Sequence, residues 1–337
     1  MKIAVDAMGG DYAPLEVIKG AVAAAKAGEA EIILVGDPAE IERVGRENGL
    51  PCPGIEIVPA SQKVEMGEHP AAALRQKKES SLAVGARLVK EGRAAALVSA
   101  GNTGAAMAFS LFTLGCLPGI ERPAIAAPLP TVEGFAVLID AGANAEVKPR
   151  YLLQFAQMGS VYMESTFGRT RPRVGLLNVG AEKEKGTPVL QEAYQLLAAS
   201  GLNFVGNVEG RDLPLGVADV IVCDGFTGNV LLKFAEGLAE GLFTLLKGEL
   251  MAGFDTRLGA YLARPAFRRL RKKMDYAEYG GAPLLGLRGL TIISHGSSDA
   301  RAIRNAIRVA RQSLEQDVIG KIAKVADQTR GLQGSEA

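Results

Sequence analysis

Short apolar runs rich in β-branched residues alternate along the chain with longer segments of helical periodicity. The short runs are apolar throughout, which indicates strands buried on both faces. Strands that alternate with helices predict a three-layer α/β/α sandwich around a mainly parallel sheet. The turn at 128–134 would join two strands in a hairpin, so we expect a mixed sheet. The predicted strands are 2–5, 31–35, 55–58, 95–98, 124–127, 135–139, 173–177, 203–205, 220–222 and 290–293. The predicted helices are 15–27, 70–91, 103–114, 149–167, 187–200, 229–247 and 299–319.

Composition supports one large folded unit. The 337 residues are 48% hydrophobic, and no Pro/Ser-rich linker divides them. We therefore expect one α/β/α domain with a cleft over 1–330 and a frayed tail at 331–337. A net charge of +1 argues against a dedicated nucleic-acid binder. Three Cys and two His leave little material for a disulfide framework or a Cys/His metal centre. No signal peptide or long apolar span is evident, which predicts a cytoplasmic protein.

Six predicted strands end in short, polar, glycine-containing loops. In an open parallel sheet, ligands bind at the carboxyl ends of the strands, so we expect these loops to line one cleft. Each loop alone is equally well explained as a turn or a helix cap. The loops begin at Asp6, Ser99, Asp140, Asn178, Cys223 and Ser294.

The segment Ser99-Ala-Gly-Asn-Thr-Gly104 is a candidate anion site. Backbone N–H groups at a helix start bind anions, and glycine lets the backbone approach a phosphate closely. The bland alternative is that Asn102 or Thr103 only caps the helix, and both roles are compatible. Gly101, Asn102, Thr103 and Gly104 are the candidate phosphate-binding residues.

Two further loops carry candidate polar groups. Lys183 and Lys185 precede a predicted helix and would pair with a phosphate or an oxyanion, although a solvated charged turn is the commoner reading. Cys223 has no nearby histidine to activate it, which favours a buried residue at a strand end. The remaining candidates near this cleft are Asp140, Asn144, Asp224, Gly225, Thr227, Gly228 and Asn229.

Three basic residues complete the set. His69 begins a predicted helix as an acid/base candidate or an ordinary structural histidine. Arg75 follows on the same helix and would face the same site. His295 lies directly after a predicted strand, which makes it the better placed of the two histidines.

Residues 248–275 differ from their surroundings and predict an amphipathic helical hairpin. Leu250, Phe254, Leu258, Tyr261 and Leu262 fall on one helical face, and Phe267 repeats the pattern after Pro265. Residues 247–275 carry eight basic and three acidic side chains, Arg268 and Arg269 among the basic ones. This composition is typical of a helix at an anionic membrane surface. A hairpin that packs on a partner subunit, with a solvated basic face, is the alternative.

Four ordered segments resemble the bacterial phosphate acyltransferase family: MKIAVDAMGGDYAP, SAGNTGA, CDGFTGNVLLK and DYAEYGGAPLLGL followed by SHGSS. The resemblance covers roughly residues 1–325. It implies acyl transfer from acyl carrier protein to inorganic phosphate at the entry to phospholipid synthesis, without a metal or organic cofactor. It also implies a homodimer, peripheral membrane association and a fold similar to phosphotransacetylases and isocitrate/isopropylmalate dehydrogenases. A downstream partner would be the membrane acyl-phosphate:glycerol-3-phosphate acyltransferase.

This chemistry agrees with the residues. Phosphate needs positioning more than deprotonation, and a thiolate leaves readily because its pKa is about 8.5. We expect direct attack, with N–H groups near 101–104 and 225–228 and Lys183 or Lys185 binding the phosphate and the carbonyl oxygen. Asp224, Asn229 and His295 would orient the reactants. A dehydrogenase on the similar fold and a non-catalytic membrane scaffold for acyl carrier protein are the alternatives.

Overall fold

Eleven strands form one sheet in the computed structural model, which describes residues 1–50, 54–274, 278 and 280–334. The strands are β1 (Lys2–Asp6), β2 (Glu31–Gly36), β3 (Glu56–Pro59), β4 (Ala96–Ser99), β5 (Ala124–Thr131), β6 (Gly134–Ile139), β7 (Val174–Asn178), β8 (Phe204–Glu209), β9 (Val220–Val222), β10 (Ala282–Leu285) and β11 (Leu290–Ile293). Their order across the sheet is β3-β2-β1-β4-β11-β10-β5-β6-β9-β7-β8. Strands β4, β7 and β11 are buried along their whole length, which explains their continuous apolar sequences.

Helices cover both faces of the sheet, so the predicted three-layer sandwich is confirmed. The helices are α1 (Leu15–Lys26), α2 (Pro38–Glu47), α3 (Pro70–Gln76), α4 (Ser81–Lys90), α5 (Thr103–Leu114), α6 (Pro149–Phe167), α7 (Pro188–Ala198), α8 (Gly225–Ala252), α9 (Phe254–Met274), α10 (Ala300–Glu315) and α11 (Val318–Gly334). Helices α3, α4, α5 and the start of α8 pack on one face, while α1, α2, α6, α7, α10 and α11 pack on the other.

Polar side chains fix where several helices begin. Ser80, Asn102, Thr187, Asp224 and Asp299 each accept a backbone N–H bond from the first turn of the helix that follows. Each cap satisfies one of the N–H groups that a helix start leaves without an internal partner.

Two predicted helices are each divided in the structure. Residues 70–91 form α3 and α4, because Ser80 caps a new helix. Residues 299–319 form α10 and the start of α11, and the break includes Asp317 at a φ of 49°. The sequence reading also missed β10, which lies between β11 and β5.

Strand direction corrects the expectation of one cleft lined by six loops. Strand β10 is antiparallel to both β11 and β5, and β5 is antiparallel to β6. Strands β6, β9, β7 and β8 therefore run opposite to β1, β4 and β11. The loops after β1, β4 and β11 therefore lie at one end of the strands, and the loops after β6, β7 and β9 lie at the opposite end. A four-residue strand such as β11 spans about 13 Å, which sets the scale of their separation along the strands.

Candidate active site

The first loop group consists of residues 6–11, 99–104 and 294–298, which follow β1, β4 and β11. Its backbones lie directly against one another: the N–H of Asp11 donates to the Gly296 carbonyl at 2.8 Å, and the N–H of Ser294 donates to the Ser99 carbonyl at 2.8 Å. A Cβ on Gly9 would lie 2.9 Å from the Gly101 Cα. A side chain at position 9 would collide with this backbone, so only glycine fits there. The surface where Gly9 meets Gly101 is formed by backbone atoms, and we call it the floor of the first loop group.

Asp6 is a buried carboxylate beneath this floor, and the sequence analysis did not select it as a site residue. Its Oδ2 accepts the Ser99 hydroxyl at 2.7 Å, and its Oδ1 accepts the Met8 N–H at 3.2 Å. The Ser99 Oγ in turn accepts the Gly101 N–H at 3.0 Å. Burial raises the pKa of Asp6, while hydrogen bonds from the Ser81 and Ser99 side chains and from the Met8 and Gly9 N–H groups oppose the rise. The Gly101 N–H is thus used inside the protein, which does not support its predicted bond to phosphate.

Helix α5 begins in the first loop group. The Asn102 Oδ1 accepts the Ala105 N–H at 2.9 Å, which confirms the predicted cap, and its Nδ2 donates to the carbonyls of Met66 and Glu68 at 2.8 and 2.9 Å. Thr103 is exposed. Within the described part of the chain, the N–H groups of Thr103 and Gly104 have no partner. Free first-turn N–H groups and the helix dipole make this end of α5 suited to bind an anion.

Two basic side chains, those of His69 and His295, lie at the rim of the first loop group. Helix α3 starts against α5, since a Cβ on Gly104 would come 2.6 Å from the Pro70 Cγ. Exposed His69 directly precedes α3, and Arg75 lies further along it with its Nε donating to the Ala71 carbonyl at 3.1 Å. Exposed His295 hydrogen-bonds Ser297 through Nδ1, which lies 3.2 Å from the Ser297 N and 2.8 Å from its Oγ.

The second loop group consists of residues 140–144, 178–186 and 223–229, at the opposite sheet edge. Buried Asp140 organises it: Oδ1 accepts the N–H groups of Ile125, Gly142 and Ala143, and Oδ2 accepts the backbone and side-chain N–H groups of Asn144. Burial raises the pKa of Asp140, and these bonds oppose the rise. Because both side chains are occupied within the protein, the geometry does not support their predicted contact with substrate.

The start of α8 packs against Asp140. The Gly225 N–H donates to the Asn144 carbonyl at 2.7 Å. A Cβ on Gly228 would overlap the Asp140 carbonyl oxygen and lie 2.9 Å from the Cys223 Sγ, so only glycine fits there. Close packing thus explains both glycines without a ligand.

The other polar groups of this loop group are partly satisfied. The Asp224 carboxylate accepts the N–H of Thr227 at 2.8 Å and its hydroxyl at 2.7 Å. Asn229 is exposed near Gly142. Lys183 and Lys185 are exposed; the Lys183 Nζ lies 3.7 Å from the Glu184 carboxylate, while Lys185 has no carboxylate partner among the residues described.

Cys223 is a buried thiol, as the sequence predicts. Its Sγ lies 3.4 Å from the Asp140 carbonyl oxygen. Burial, followed by the charges of Asp140 and Asp224, raises the pKa of Cys223 well above its ordinary value. A buried, protonated thiol is a poor nucleophile.

Helices α8 and α9 pack together as a hairpin that turns at Gly253. Leu250 therefore belongs to α8. The prediction that it shares one helical face with Phe254 is wrong. At about 100° per residue, Arg268 lies within about 40° of Phe254 and Arg269 within about 60°, so these two basic residues continue the apolar face and do not cover the opposite one. Phe267 lies on the far side of α9 and is half-buried. The exposed residues of α9 include Phe254, Leu258, Tyr261, Leu262, Arg264, Arg268 and Arg269.

Two kinds of feature are absent from the described residues, 1–50, 54–274, 278 and 280–334. Their His, Cys, Asp and Glu side chains form no group of three or more with metal-binding geometry. Their helices include none that combines the length and apolar character needed to cross a bilayer.

The architecture is that of the phosphotransacetylases. The chain superposes on the EutD phosphotransacetylase from Staphylococcus aureus with a TM-score of 0.63 and 18% identity, over 93% of this chain and 94% of that one. At this identity the likeness establishes the fold alone.

The chain belongs to the fatty acid synthesis protein family, whose model matches residues 1–321. It is 56% identical to a phosphate acyltransferase from Heliobacterium modesticaldum over 96% of both chains. It is 51% identical to a phosphate acyltransferase from Moorella thermoacetica over the full length of both.

Proposed function

We propose that this chain transfers an acyl group from a thioester to inorganic phosphate, and that phosphate binds at the first loop group. One observation carries the location: the free N–H groups of Thr103 and Gly104 stand over a backbone-lined floor with basic side chains at its rim. The name shared by the curated relatives supports the reaction.

In this proposal a phosphate oxygen attacks the thioester carbonyl carbon, the C–S bond breaks, and acyl phosphate and a thiol are the products. The α5 N–H groups hold the phosphate charge, and Arg75 adds a positive field at the rim. His295 would orient the carbonyl oxygen. Holding both reactants in line supplies most of the acceleration, because neither needs strong chemical activation.

The attack is direct in our proposal. An acyl-enzyme would need an activated nucleophile, and Cys223 is buried with a raised pKa. Exchange of Cys223 for alanine should therefore leave acyl transfer intact. Radiolabelled acyl chain that remained bound to denatured protein would contradict direct attack.

The second loop group is the competing location, because it holds Lys183, Lys185, Asp224 and Asn229. We place phosphate elsewhere because Asp224 adds a negative charge at the start of α8, and the Gly225 and Thr227 N–H groups are already occupied. Paired variants decide: Thr103→Pro should raise the phosphate KM strongly, whereas Lys185→Ala should not. The reverse result would move the site to the second loop group.

The proposed donor is acyl carrier protein, an acidic partner to which the exposed Arg75 would contribute attraction. The test incubates the purified chain with acyl carrier protein thioester and phosphate and traps acyl phosphate with hydroxylamine. Acyl-CoA in a parallel reaction shows whether the carrier protein itself is recognised. Turnover that needed a nicotinamide cofactor would favour the dehydrogenase alternative, and carrier-protein binding without product would favour a scaffold.

The hairpin is our proposed contact with the membrane, on the cytoplasmic side. The exposed side chains of Phe254, Leu258, Tyr261 and Leu262 would enter the membrane interface. Arg264, Arg268 and Arg269 would lie nearer the lipid headgroups. A peripheral position would deliver acyl phosphate to the downstream membrane acyltransferase.

Helix α8 offers a surface for a second copy of the chain. Phe226, Val230, Phe234 and Leu245 are exposed, and they share one face with Gly237 and Gly241 at spacings of four and three residues. A Cβ on either glycine would meet open space, so another helix could approach closely there. An apolar face of this kind is suited to pack on its own symmetry mate, and we propose a homodimer on this basis. Sedimentation should give the mass of a dimer for wild type and of a monomer for Phe234→Glu. The same molecular mass for both proteins would contradict this interface.

A further inference from the structure

Asp6 is a fully buried carboxylate that the proposed mechanism does not use. It ends β1, is 1% exposed, and lies under the contact between Gly9 and Gly101. Burying a carboxylate costs free energy unless it is well hydrogen-bonded, so its position calls for a structural or functional reason.

Its hydrogen bonds form a chain that leads to the loop at 99–104, where we place phosphate. The Ser99 hydroxyl donates to Asp6 at 2.7 Å, and the Gly101 N–H donates to the same hydroxyl oxygen at 3.0 Å. Asp6 also accepts the Met8 N–H, so one carboxylate holds the loops after β1 and β4 together.

The segment that Asp6 reaches through Ser99 is short and leads directly into α5. Gly101 has no side chain to anchor it, and only Asn102 separates it from the first residue of α5. The direction of the Thr103 and Gly104 N–H groups depends on how this turn enters the helix.

We propose that Asp6 is a positioning residue for phosphate: through the Ser99 hydroxyl it fixes Gly101, and thereby sets the N–H groups at the start of α5. This inference rests on the proposed location of phosphate binding. Asp6 itself touches neither reactant in this account.

The test compares Asp6→Asn and Ser99→Ala in steady-state acyl transfer with acyl carrier protein thioester and inorganic phosphate. Each variant should raise the phosphate KM by about tenfold, while kcat and the KM for the acyl donor stay within about threefold. Because both act through one chain of hydrogen bonds, the double variant should exceed the larger single effect only slightly.

Ser110→Ala is the matched control. Ser110 is also a fully buried serine, and its hydroxyl hydrogen-bonds Thr291 at 3.0 Å, about two helical turns from Thr103 along α5. It should lower the melting temperature about as much as Ser99→Ala and leave the phosphate KM unchanged. An equal rise of KM in this control would reduce Asp6 to a purely structural role and overturn the proposal.

Two outcomes separate this inference from the proposed site. If Asn102→Asp raises the phosphate KM but Asp6→Asn and Ser99→Ala do not, phosphate binds at the first loop group and only the role of Asp6 is wrong. If none of the three variants changes the phosphate KM while wild type forms acyl phosphate, the proposed location is wrong and the inference falls with it.

Discussion

Asn102 gives the sharpest test of where phosphate binds, because its side chain can be changed with and without charge. Asn102→Asp keeps an oxygen acceptor at the N-cap and adds one negative charge at the start of α5. Asn102→Ser also keeps a cap and stays neutral. Both lose the Nδ2 bonds to the carbonyls of Met66 and Glu68, so both should be destabilised by about 2 kcal/mol.

The added charge then sets the expected difference in phosphate KM between the two variants. Two unit charges about 5 Å apart interact by about 0.8 kcal/mol in water and about 3 kcal/mol at an effective dielectric constant of 20. The phosphate KM of the aspartate variant should therefore exceed that of the serine variant by a factor between about 4 and about 200. Added salt should reduce the ratio.

Steady-state acyl phosphate formation at varied phosphate concentration measures this ratio, and thermal unfolding checks that the two variants are equally stable. Equal phosphate KM values in two equally stable variants would refute phosphate binding at the first loop group.

The remaining predictions concern other parts of the molecule. Gly228→Ala should destabilise the protein by about 1–3 kcal/mol or prevent folding, because its Cβ would overlap the Asp140 carbonyl; chemical denaturation measures this, and full stability would contradict the packing described. Leu258→Glu should abolish binding to anionic vesicles and leave the melting temperature unchanged, since Leu258 is exposed; unchanged vesicle binding would favour a hairpin that packs on a partner. Cys223→Ala should keep kcat within about threefold, and loss of turnover in a folded variant would count against direct attack.

Much of the fold could be predicted because local sequence and tertiary burial agree. Strands such as β4 and β11 are buried on both faces, so their sequences are apolar throughout and differ clearly from the helices between them. Thr103 was correctly expected to begin a helix, because Asn102 is a strong N-cap.

Strand direction could not be read in the same way. Strand β10 has four residues, includes Pro283 and follows two glycines with positive φ, so its sequence resembles a loop. Because β10 pairs antiparallel with both β11 and β5, it leaves β5 parallel to β11, and the β5/β6 hairpin then reverses the second half of the sheet. This arrangement separates Asn102 and His295 from Asp224 and Lys185. Candidate loops were found from local sequence, but which of them meet depends on this non-local pairing.

Asp6 shows the opposite case. Its position at the end of an apolar strand was visible in the sequence, as was that of Asp140. Nothing local indicated that one carboxylate would join two loops through Ser99, which is 93 residues away. Asp140 was among the predicted site residues, and a charged residue that directly ends a buried strand is the signal that would have added Asp6.

A single-turnover reaction with acyl carrier protein thioester and isotopically labelled phosphate tests the central claim most directly. We predict acyl phosphate that contains all the labelled oxygens, with one thiol released per acyl group and no acyl chain bound to the enzyme at any time. An acylated enzyme that forms before phosphate is added, or thiol release without acyl phosphate, would contradict direct transfer to phosphate.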